Sequence, residues 1–413
     1  QPSLKGQPRT VIMYRLSSAV LSTIATVAKL NICEPRQRIS ESLLNGVREL
    51  SEMFIRGGEG IGTAYLENQR LRTSYLAYYV PVNLGKVQFL LEELRPVLPH
   101  SADKEFRVLD LGGGPGTGAL GLLDWCCSQS LPPAASISMT VVDRSPEVLK
   151  LCNELWQVYG KQNHDHPVGT LQTATCNLER GVPSALRVGG RDNGYHLIIV
   201  QNILSELFVG SSDPISKRTE FVSQLLTYLA PEGSLMLIEP ALRSASRALH
   251  QVRNNLLADL QCTVFSPCLH NQPCPALIKP DDWCHEERFW ETPDWIAQID
   301  DSVGFIKDAL KYSYVILRKD GKTLVPQNPH YHRVVSELRE LKGEKRVWLC
   351  DAEGRSELGR QDKERSPSNA GFDDWHRGAI VRVDEIVRKE RKGRPAMVGR
   401  ILSSGVAEVI RPA

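Results

Sequence analysis

The feature that most constrains the fold of this 413-residue chain is a glycine-rich turn at 108–118, V-L-D-L-G-G-G-P-G-T-G. An apolar run containing Asp110 leads into Gly112, Gly114 and Gly116, and a helical pattern follows. Glycine lets a backbone turn tightly and approach a ligand closely, and the N-terminus of the following helix offers free N–H groups. The motif therefore predicts a strand–turn–helix unit that cradles a ligand. It does not by itself choose a protein class, because dinucleotide-binding dehydrogenases use a similar turn.

Short apolar runs alternate with helical patterns beyond this turn. The predicted strands are 106–111, 138–143, 195–201 and 233–239. The predicted helices are 116–128, 145–159 and 216–229. This alternation indicates an α/β domain with a parallel sheet, which we assign to residues 101–261. The second predicted strand ends at Asp143, where a carboxylate can accept hydrogen bonds from both hydroxyls of a ribose.

The glycine turn followed by this acid resembles the class I S-adenosylmethionine-dependent methyltransferases. The resemblance implies a Rossmann-like sheet, with the methionine part of the cofactor at the glycine turn and the ribose at the acid. The implied cofactor-binding residues are Asp110, Gly112, Gly114, Gly116 and Asp143. Cys176 and Asn177 would follow the third strand, near the adenine. The alternative is a retained fold whose pocket binds no cofactor.

No residue of this region is identified as catalytic. Enzymes that methylate base amines place an Asn/Asp-Pro-Pro-aromatic motif after the fourth strand, whereas residues 201–204 read Q-N-I-L. The proline–cysteine pair of cytosine C5 methylation is not apparent there either. Cys126 and Cys127 fall on a predicted helix, where buried thiols usually only pack. The sequence leaves open whether the chain is an active methyltransferase.

Residues 1–100 are predicted to form a helical N-terminal region. Helical spacing of apolar residues occurs over 37–56 and again over 74–98, where Pro81 is expected to interrupt the helix. No stretch approaches the roughly 20 apolar residues of a membrane-spanning helix, so no membrane partner is expected.

The N-terminus itself permits two interpretations. No acidic residue precedes Glu34, although four basic residues do. One helical face carries Leu16, Val20, Ile24 and Val27. An amphipathic, serine-rich segment without acids is typical of an organelle-import sequence. A packed helix with solvated basic residues explains the same pattern.

Ten cysteines are the unusual feature of the composition. Three of them, Cys268, Cys274 and Cys284, lie on an irregular segment rich in proline, histidine and tryptophan, and Cys350 follows later. Several thiolates together can bind a soft metal or an iron–sulfur cluster. The spacing alone does not distinguish zinc from iron–sulfur, and His270 and His285 are alternative ligands. Buried free thiols remain the simplest alternative. The other cysteines are interpreted as packing thiols: Cys33, Cys126, Cys127, Cys152, Cys176 and Cys262.

The charge is unevenly distributed along the chain. The total is +2, yet residues 318–413 contain 21 basic and 15 acidic residues. Short β-like runs in this part predict a small, basic, β-rich C-terminal domain, preceded by a cysteine-rich segment at 262–317 that also completes the α/β domain. Residues 388–394, R-K-E-R-K-G-R, could contact RNA phosphates or form a solvated loop.

These features together resemble the methyltransferase-like family associated with the mitochondrial small ribosomal subunit, which also has bacterial members. The matching features are Y-L-A-Y-Y-V-P at 75–81, the glycine turn, L-S-E-L at 204–207, G-S-L-M-L-I-E-P at 233–240, the cysteine segment at 266–285, and Cys350. Tyr79 departs from the pattern, which has arginine there. The resemblance implies binding to small-subunit rRNA during assembly. It also implies a 4Fe-4S cluster on Cys268, Cys274, Cys284 and Cys350.

Three functions are therefore weighed. The first is a small ribosomal subunit assembly factor that binds rRNA beside ribosomal proteins, carries a structural 4Fe-4S cluster, and acts as a monomer on the ribosome. The second is an active methyltransferase that uses S-adenosylmethionine on rRNA or protein. The third is a zinc-stabilised RNA-binding module. The expected location is the mitochondrial matrix, with bacterial cytoplasm as the alternative.

Overall fold

The computed structural model describes residues 13–30, 39–55, 63–98, 105–129, 136–163, 169–188, 194–388, 390–391, 394–395 and 398–413. The first four helices are α1 (Ser18–Ala28), α2 (Glu41–Ile55), α3 (Gln69–Ser74) and α4 (Val80–Leu94). The others are α5 (Thr117–Ser128), α6 (Pro146–Gln162), α7 (Pro214–Leu226), α8 (Arg243–Ala258) and α9 (Asp294–Val303).

The main sheet confirms the predicted α/β, class I methyltransferase-like fold. Its strands are β1 (Glu105–Leu111), β2 (Ser136–Asp143), β3 (Thr170–Thr175), β4 (Tyr195–Gln201), β5 (Leu229–Pro240), β6 (Thr263–Ser266), β7 (Glu286–Phe289) and β8 (Ala309–Arg318). The order is β3-β2-β1-β4-β5-β8-β6, and β7 also pairs with β8. The first five strands run parallel, whereas β8 runs antiparallel to β5, β6 and β7. The four predicted strands of residues 106–239 are thus confirmed, with β5 beginning earlier than predicted.

The central parallel strands β1, β4 and β5 are mostly buried because helices cover both faces of the sheet. Val108 and Ile199 belong to one hydrophobic core, and Leu109 and Ile198 to the other. This is the alternation expected when successive side chains of a strand point to opposite faces. The N-terminal helices share the first core, since Val20 of α1 and Leu84 of α4 pack there.

The carboxyl ends of β1 and β4 meet at one edge of the sheet because the strands are parallel. The same edge carries the loops after β2 and β5. Ligands of open α/β sheets bind at this edge.

Pro81 does not interrupt the helical pattern as predicted. It lies near the N-terminus of α4, and residues Tyr75–Tyr79 form a π-helical turn between α3 and α4. Proline has no N–H, so it cannot donate to the carbonyl of Ala77 four residues earlier. Trp295 supplies the missing donor, because its Nε1–H donates to the Ala77 oxygen at 2.8 Å.

A second sheet forms from the end of the chain and has a separate hydrophobic core. Its strands are β9 (Tyr331–Val334), β10 (Arg339–Leu341), β11 (Glu344–Asp351), β12 (Gly354–Gln361), β13 (Ile380–Asp384), β16 (Val398–Ile401) and β17 (Val406–Arg411). The order is β16-β12-β11-β9-β13-β17, and β10 pairs with β11. A separate short hairpin is formed by β14 (Glu390–Arg391) and β15 (Arg394–Pro395). The β-like runs predicted at 346–350, 379–386 and 397–402 therefore fall on β11, β13 and β16.

Buried ions join the two sheets. Nη2 of Arg333, on β9, donates to Glu286 of β7 at 2.9 Å and to Glu93 of α4 at 3.2 Å. Arg288 adds a second cation, 3.3 Å from Glu286. Arg411, near the end of β17, donates to the carbonyl oxygens of residues 92 and 93. Helical region, main sheet and second sheet therefore meet around one carboxylate, that of Glu93.

The apolar face of the first helix packs inward, since Val20, Ile24 and Val27 are buried in the first core. This agrees with the packed-helix interpretation for residues 18–28. No helix in the described ranges is long and apolar enough to cross a membrane. The basic residues before Met13, Cys33, the boundary between residues 100 and 101, and residues 389, 392 and 393 of the basic run lie outside the described residues.

Candidate functional site

The glycine turn is built as its sequence predicts. Gly112, Gly114 and Gly116 have φ values of +64°, +55° and +81°, the left-handed region that glycine adopts without strain. The N–H groups of Gly112 and Gly113 donate to the Val142 carbonyl at 2.7 and 3.2 Å. The turn is therefore fixed against the end of β2 before α5 begins.

The three predicted glycines have different surroundings. A Cβ on Gly112 would lie 2.4 Å from Cγ2 of Ile203, and one on Gly116 would lie 2.5 Å from Sγ of Cys152. Beside Gly114 the nearest atom, in Val148, is 3.9 Å away. Packing thus explains two of the glycines, and Gly114 is the position with open space beside it.

Both predicted aspartates lie at this edge. Oδ2 of Asp110 accepts the Ala119 N–H at 3.1 Å, and burial, aided by the charge of Asp143, raises the pKa of Asp110 to about 7. Asp143 accepts the N–H groups of Gly114 at 3.1 Å and Ser145 at 2.9 Å, and burial raises its pKa. Both carboxylates therefore hold the turn and the start of the next helix in place.

Two further acids at this edge were not predicted as site residues. Burial raises the pKa of Glu206 and of Glu239 to about 7, and in Glu206 the nearby Glu239 charge adds to the effect. Glu239 accepts the N–H groups of Leu204 at 2.9 Å and Ser205 at 3.2 Å. The sequence carried a signal for both, since Glu206 lies in L-S-E-L and Glu239 ends the apolar run of β5.

Tyrosines from the N-terminal region also reach this edge. Burial raises the pKa of Tyr65 and of Tyr75, and the charges of Glu206 and Asp143 act on both. Their ring centroids are 6.1 Å apart. Tyr79, at the position where the family pattern has arginine, stacks on Tyr75 with centroids 5.6 Å apart. An aromatic wall thus stands beside the acids.

Two unpaired polar groups also lie at this edge. Ser145 Oγ and Asn202 Oδ1 are buried without a hydrogen-bond partner among the described residues. Buried polar atoms usually have a partner, and these two follow β2 and β4, on the same edge as the open side of Gly114. The arrangement can bind a polar ligand that has donors for these oxygens. Cys176 and Asn177 directly follow β3, as predicted.

The four candidate ligand cysteines converge on one place in the fold. Cys268, Cys284 and Cys350 line one cavity with His250 of α8. Cys274 reaches the same histidine through a side-chain hydrogen bond. Cys350 lies on β11 and the other three in the segment between β6 and β7. The cavity therefore lies where the second sheet meets the cysteine segment.

The four thiols of this cavity differ in the direction in which their pKa values are shifted. Burial opposes ionisation of Cys274, but the charge and hydrogen bond of His250 lower its pKa to about 7. Burial also opposes ionisation of Cys284, but its own hydrogen bond with His250 and the charges of His250 and Arg355 lower its pKa. Burial raises the pKa of Cys268 and of Cys350. Two thiols are thus prepared as thiolates, the form that binds metals.

The thiols are close but do not form a finished metal site. Across the described ranges, no group of three or more His, Cys, Asp or Glu side chains is arranged to hold a metal ion. All nine described cysteines are free thiols. Of the predicted packing thiols, Cys126, Cys152 and Cys262 are buried, and Cys127 and Cys176 are partly buried.

Three residues around the thiols escaped prediction. His250 lies 18 residues before Cys268 on a helix, so no local pattern points to it. Arg253, one turn further on, donates to the carbonyls of Gln272 at 2.7 Å and His270 at 2.8 Å and so shapes the cysteine loop. Arg355 approaches from β12, where it pairs with Cys350 across the hairpin. Only the tertiary fold brings these cations to the thiols.

Comparison with known proteins identifies a family. The family model described as mitochondrial small ribosomal subunit Rsm22 matches residues 70–366. Two proteins of Schizosaccharomyces pombe, the mitochondrial Rsm22-cox11 tandem proteins 1 and 2, are each 23% identical over 259 residues. The match covers 60% of this chain and 31% of each tandem protein, so the chain spans about a third of their length.

Solved structures give weaker likenesses. The CMeT domain of the citrinin polyketide synthase has a TM-score of 0.36 at 14% identity, over 68% of this chain and 67% of that chain. An S-adenosylmethionine-dependent methyltransferase from Methanosarcina mazei has a TM-score of 0.31 at 14% identity, over 55% of this chain and 96% of that chain.

Proposed function

This chain belongs to the Rsm22 family of the mitochondrial small ribosomal subunit, and we propose that it is an assembly factor of that subunit. In this proposal it binds ribosomal RNA, as a monomer, beside ribosomal proteins in the mitochondrial matrix. The observation that carries the proposal is the family match over residues 70–366, which includes the glycine turn and all four candidate ligand cysteines. The named mitochondrial relatives support the location.

We further propose that Cys268, Cys274, Cys284 and Cys350 hold a 4Fe-4S cluster. The chemistry of the donors supports it, because thiolates are the usual ligands of such clusters and two of the four have lowered pKa values. The thiolate of Cys284 lies near the cations of His250 and Arg355, which offset the negative charge that four thiolates bring. A cluster bound there would join the second sheet to the cysteine segment.

S-adenosylmethionine is the proposed ligand of the glycine turn. The open space beside Gly114 and the unpaired oxygens of Ser145 and Asn202 support it. Bound there, the cofactor would supply an activated methyl group. The chain's own residues would hold it: the turn by its backbone, Asp110 by fixing the helix after the turn, and Asp143 at the ribose.

Metal content and ribosome association test the central proposal together. We expect the anaerobically purified chain to be brown, with about four irons per molecule if a 4Fe-4S cluster is present, and to co-sediment with small ribosomal subunits. Cys274→Ser should lose the colour, unfold more readily and associate less. Cys262→Ser, which alters a buried thiol outside the cavity, is the matched control and should behave like the unchanged chain.

The possible results separate the candidate functions. A colourless protein that contains zinc would favour the zinc-stabilised module, and a metal-free protein would leave the thiols as packing residues. Unchanged melting and sedimentation of Cys274→Ser would refute a structural cluster.

Calorimetry with S-adenosylmethionine tests the second ligand. Asp143→Asn should abolish the heat of binding, whereas Asp301→Asn, at an exposed position on α9, should keep it. No heat from the unchanged chain at high protein concentration would remove the cofactor from the proposal. Methyl transfer to isolated subunits would instead support the active-enzyme alternative.

A further inference from the structure

A second cleft adjoins the cysteine cavity and shares His285 and Val335 with it. It has a volume of about 470 Å³ and is lined by two tryptophans and by charged side chains of both signs. We call it the tryptophan cleft and define it by Lys279, Asp281, Trp283, Trp348, Arg355 and Arg377. Its volume falls in the range of small-ligand sites, roughly 300–1,000 Å³.

We propose that the tryptophan cleft binds one unpaired base of an RNA strand, stacked on an indole ring, with the adjoining phosphate near Lys279. This inference rests on the proposed association with ribosomal RNA, and it names the contact through which part of that association is made. Unpaired RNA bases are commonly bound by stacking on aromatic or arginine planes.

The aromatic side chains are presented rather than buried. Trp283 and Trp348 are both only partly buried. The ring of Trp283 is supported by the His285 ring, with centroids 5.8 Å apart and planes at 24°. Ile278, on the rim, is 81% exposed. An apolar rim around supported aromatic rings suits a flat heterocycle, because stacking removes both surfaces from water.

The cleft is held in shape before any ligand arrives. The guanidinium of Arg247 donates to the carbonyls of Ala276, Leu277, Lys279 and Asp282 at 2.7–3.2 Å. This fixes the irregular backbone that carries Lys279 and Trp283. On the other wall, the backbone N–H of Trp348 donates to Ser336 Oγ at 2.9 Å. A preformed site spends less binding energy on ordering its own walls.

The charges of the cleft suit a nucleotide better than an apolar peptide. Nη1 of Arg355 donates to both carboxylate oxygens of Asp282, at 2.7 and 2.8 Å. Lys279 is exposed and has no recorded ion pair or side-chain hydrogen bond among the described residues, so it can meet a phosphate. The exposed Asp281 can accept hydrogen bonds from an exocyclic amine. Residues 318–413, which contribute Trp348, Arg355 and Arg377 to the cleft, have a basic excess that would attract a polyanion.

The test compares two substitutions of one ring. A fluorescein-labelled single-stranded RNA of about 12 nucleotides is titrated with the whole chain, since this length covers the usual site size of single-strand binders. Trp348→Leu removes the aromatic face and should weaken binding about 5- to 100-fold. Trp348→Phe keeps an aromatic face and should recover most of the affinity. Melting temperatures of both variants show whether each is folded.

A charge variant tests the phosphate contact without disturbing the core. Lys279→Gln should lower the slope of log affinity against log salt by about 0.7, the value for one phosphate contact on a single strand. Lys161→Gln, at an exposed position on another part of the molecule, is the control and should leave the slope unchanged. Equal slopes for the two variants would overturn the phosphate contact.

Co-sedimentation with small ribosomal subunits separates this inference from the proposed function. If the unchanged chain does not co-sediment, the proposed function fails whatever the variants do. If the unchanged chain co-sediments, and folded Trp348→Leu binds RNA and subunits as well as the unchanged chain does, the cleft inference fails while the proposed function stands. Loss of subunit association with unchanged RNA affinity would mean that the cleft binds a protein, which also overturns the inference.

Discussion

Glu206 lies among other buried acids at the carboxyl edge of the main sheet, and this makes it sensitive to pH. Its pKa is raised to about 7, first by burial and then by the charge of Glu239. The folded protein therefore favours the neutral form of Glu206. The stability that this form contributes is fully present below about pH 4.5 and is lost as pH rises through about 7. Glu206→Gln should raise the free energy of unfolding at about pH 8 by roughly 1–3 kcal/mol and leave it little changed near pH 4.

Denaturant unfolding across this pH range measures the effect. Glu220→Gln is the control, because Glu220 lies on an exposed helix face in a surface ion pair with Lys217. Such pairs contribute about 0–1 kcal/mol. Identical pH profiles for Glu206→Gln and the unchanged chain would contradict the prediction.

Site residues were predictable from sequence where the signal is local. The glycines and Asp143 follow strands that their own sequence specifies, so their edge of the sheet could be named. Glu206 carries a weaker signal of the same kind, since it comes shortly after β4. His250 could not be found, because its role depends on thiols that the fold brings to it from later in the chain.

The junction of α3 and α4 shows how an element depends on a distant side chain. Trp295, from α9, donates to the Ala77 carbonyl that Pro81 leaves without its helical donor. Trp295→Phe should destabilise the protein, by about 1–3 kcal/mol for the unsatisfied carbonyl plus the lost packing. Denaturant unfolding measures this loss.

Two comparisons isolate the hydrogen bond from the packing. Trp375 is fully buried, and its Nε1–H has no partner among the described residues, so Trp375→Phe removes ring volume without breaking a hydrogen bond. Placing Pro81→Ala beside Trp295→Phe restores a backbone donor and should reduce the cost of the tryptophan change. If Trp295→Phe lowers the free energy of unfolding equally with proline and with alanine at position 81, the hydrogen bond to Ala77 does not explain the loss.

Sequence periodicity predicted that residues 74–98 are helical, and it erred on the effect of Pro81. A proline in a helix usually breaks it because its neighbours cannot satisfy the freed carbonyl. Here a residue more than two hundred positions later does so. The short strands β6 and β7 were missed because each has only four residues, too few to show a clear period; both pair antiparallel with β8.

At the scale of the whole molecule, the carboxylate of Glu93 joins the three structural regions. Arg333→Met would remove one of the two arginines that neutralise Glu93 and Glu286. The other, Arg288, lies 3.9 Å from Glu93 and 3.3 Å from Glu286. Removing one partner of a buried ion pair costs about 3–5 kcal/mol. We therefore expect a large loss of stability, measured by denaturant unfolding with probes on both sheets.

The exposed pair of Lys217 and Glu220 supplies the matched control. Lys217→Met should cost no more than about 1 kcal/mol. A loss as small as this in Arg333→Met would show that the ionic network does not hold the sheets together.

Alternating strand and helix signals predicted the main sheet. The contacts between the sheets depend instead on residues such as Arg333, which in the sequence is only one of many basic residues of the C-terminal part.

The reversed strand β8 has a consequence for the order in which the chain can fold during synthesis. It pairs with β5, β6 and β7, all of which leave the ribosome before it. Until residue 318 has emerged, the edge of β5 lacks its neighbour and the segment with Cys268, Cys274 and Cys284 has no strand to dock on. Cys350 emerges later still. The four thiols can therefore be brought together only after residue 350 has emerged, long after the residues of the glycine turn.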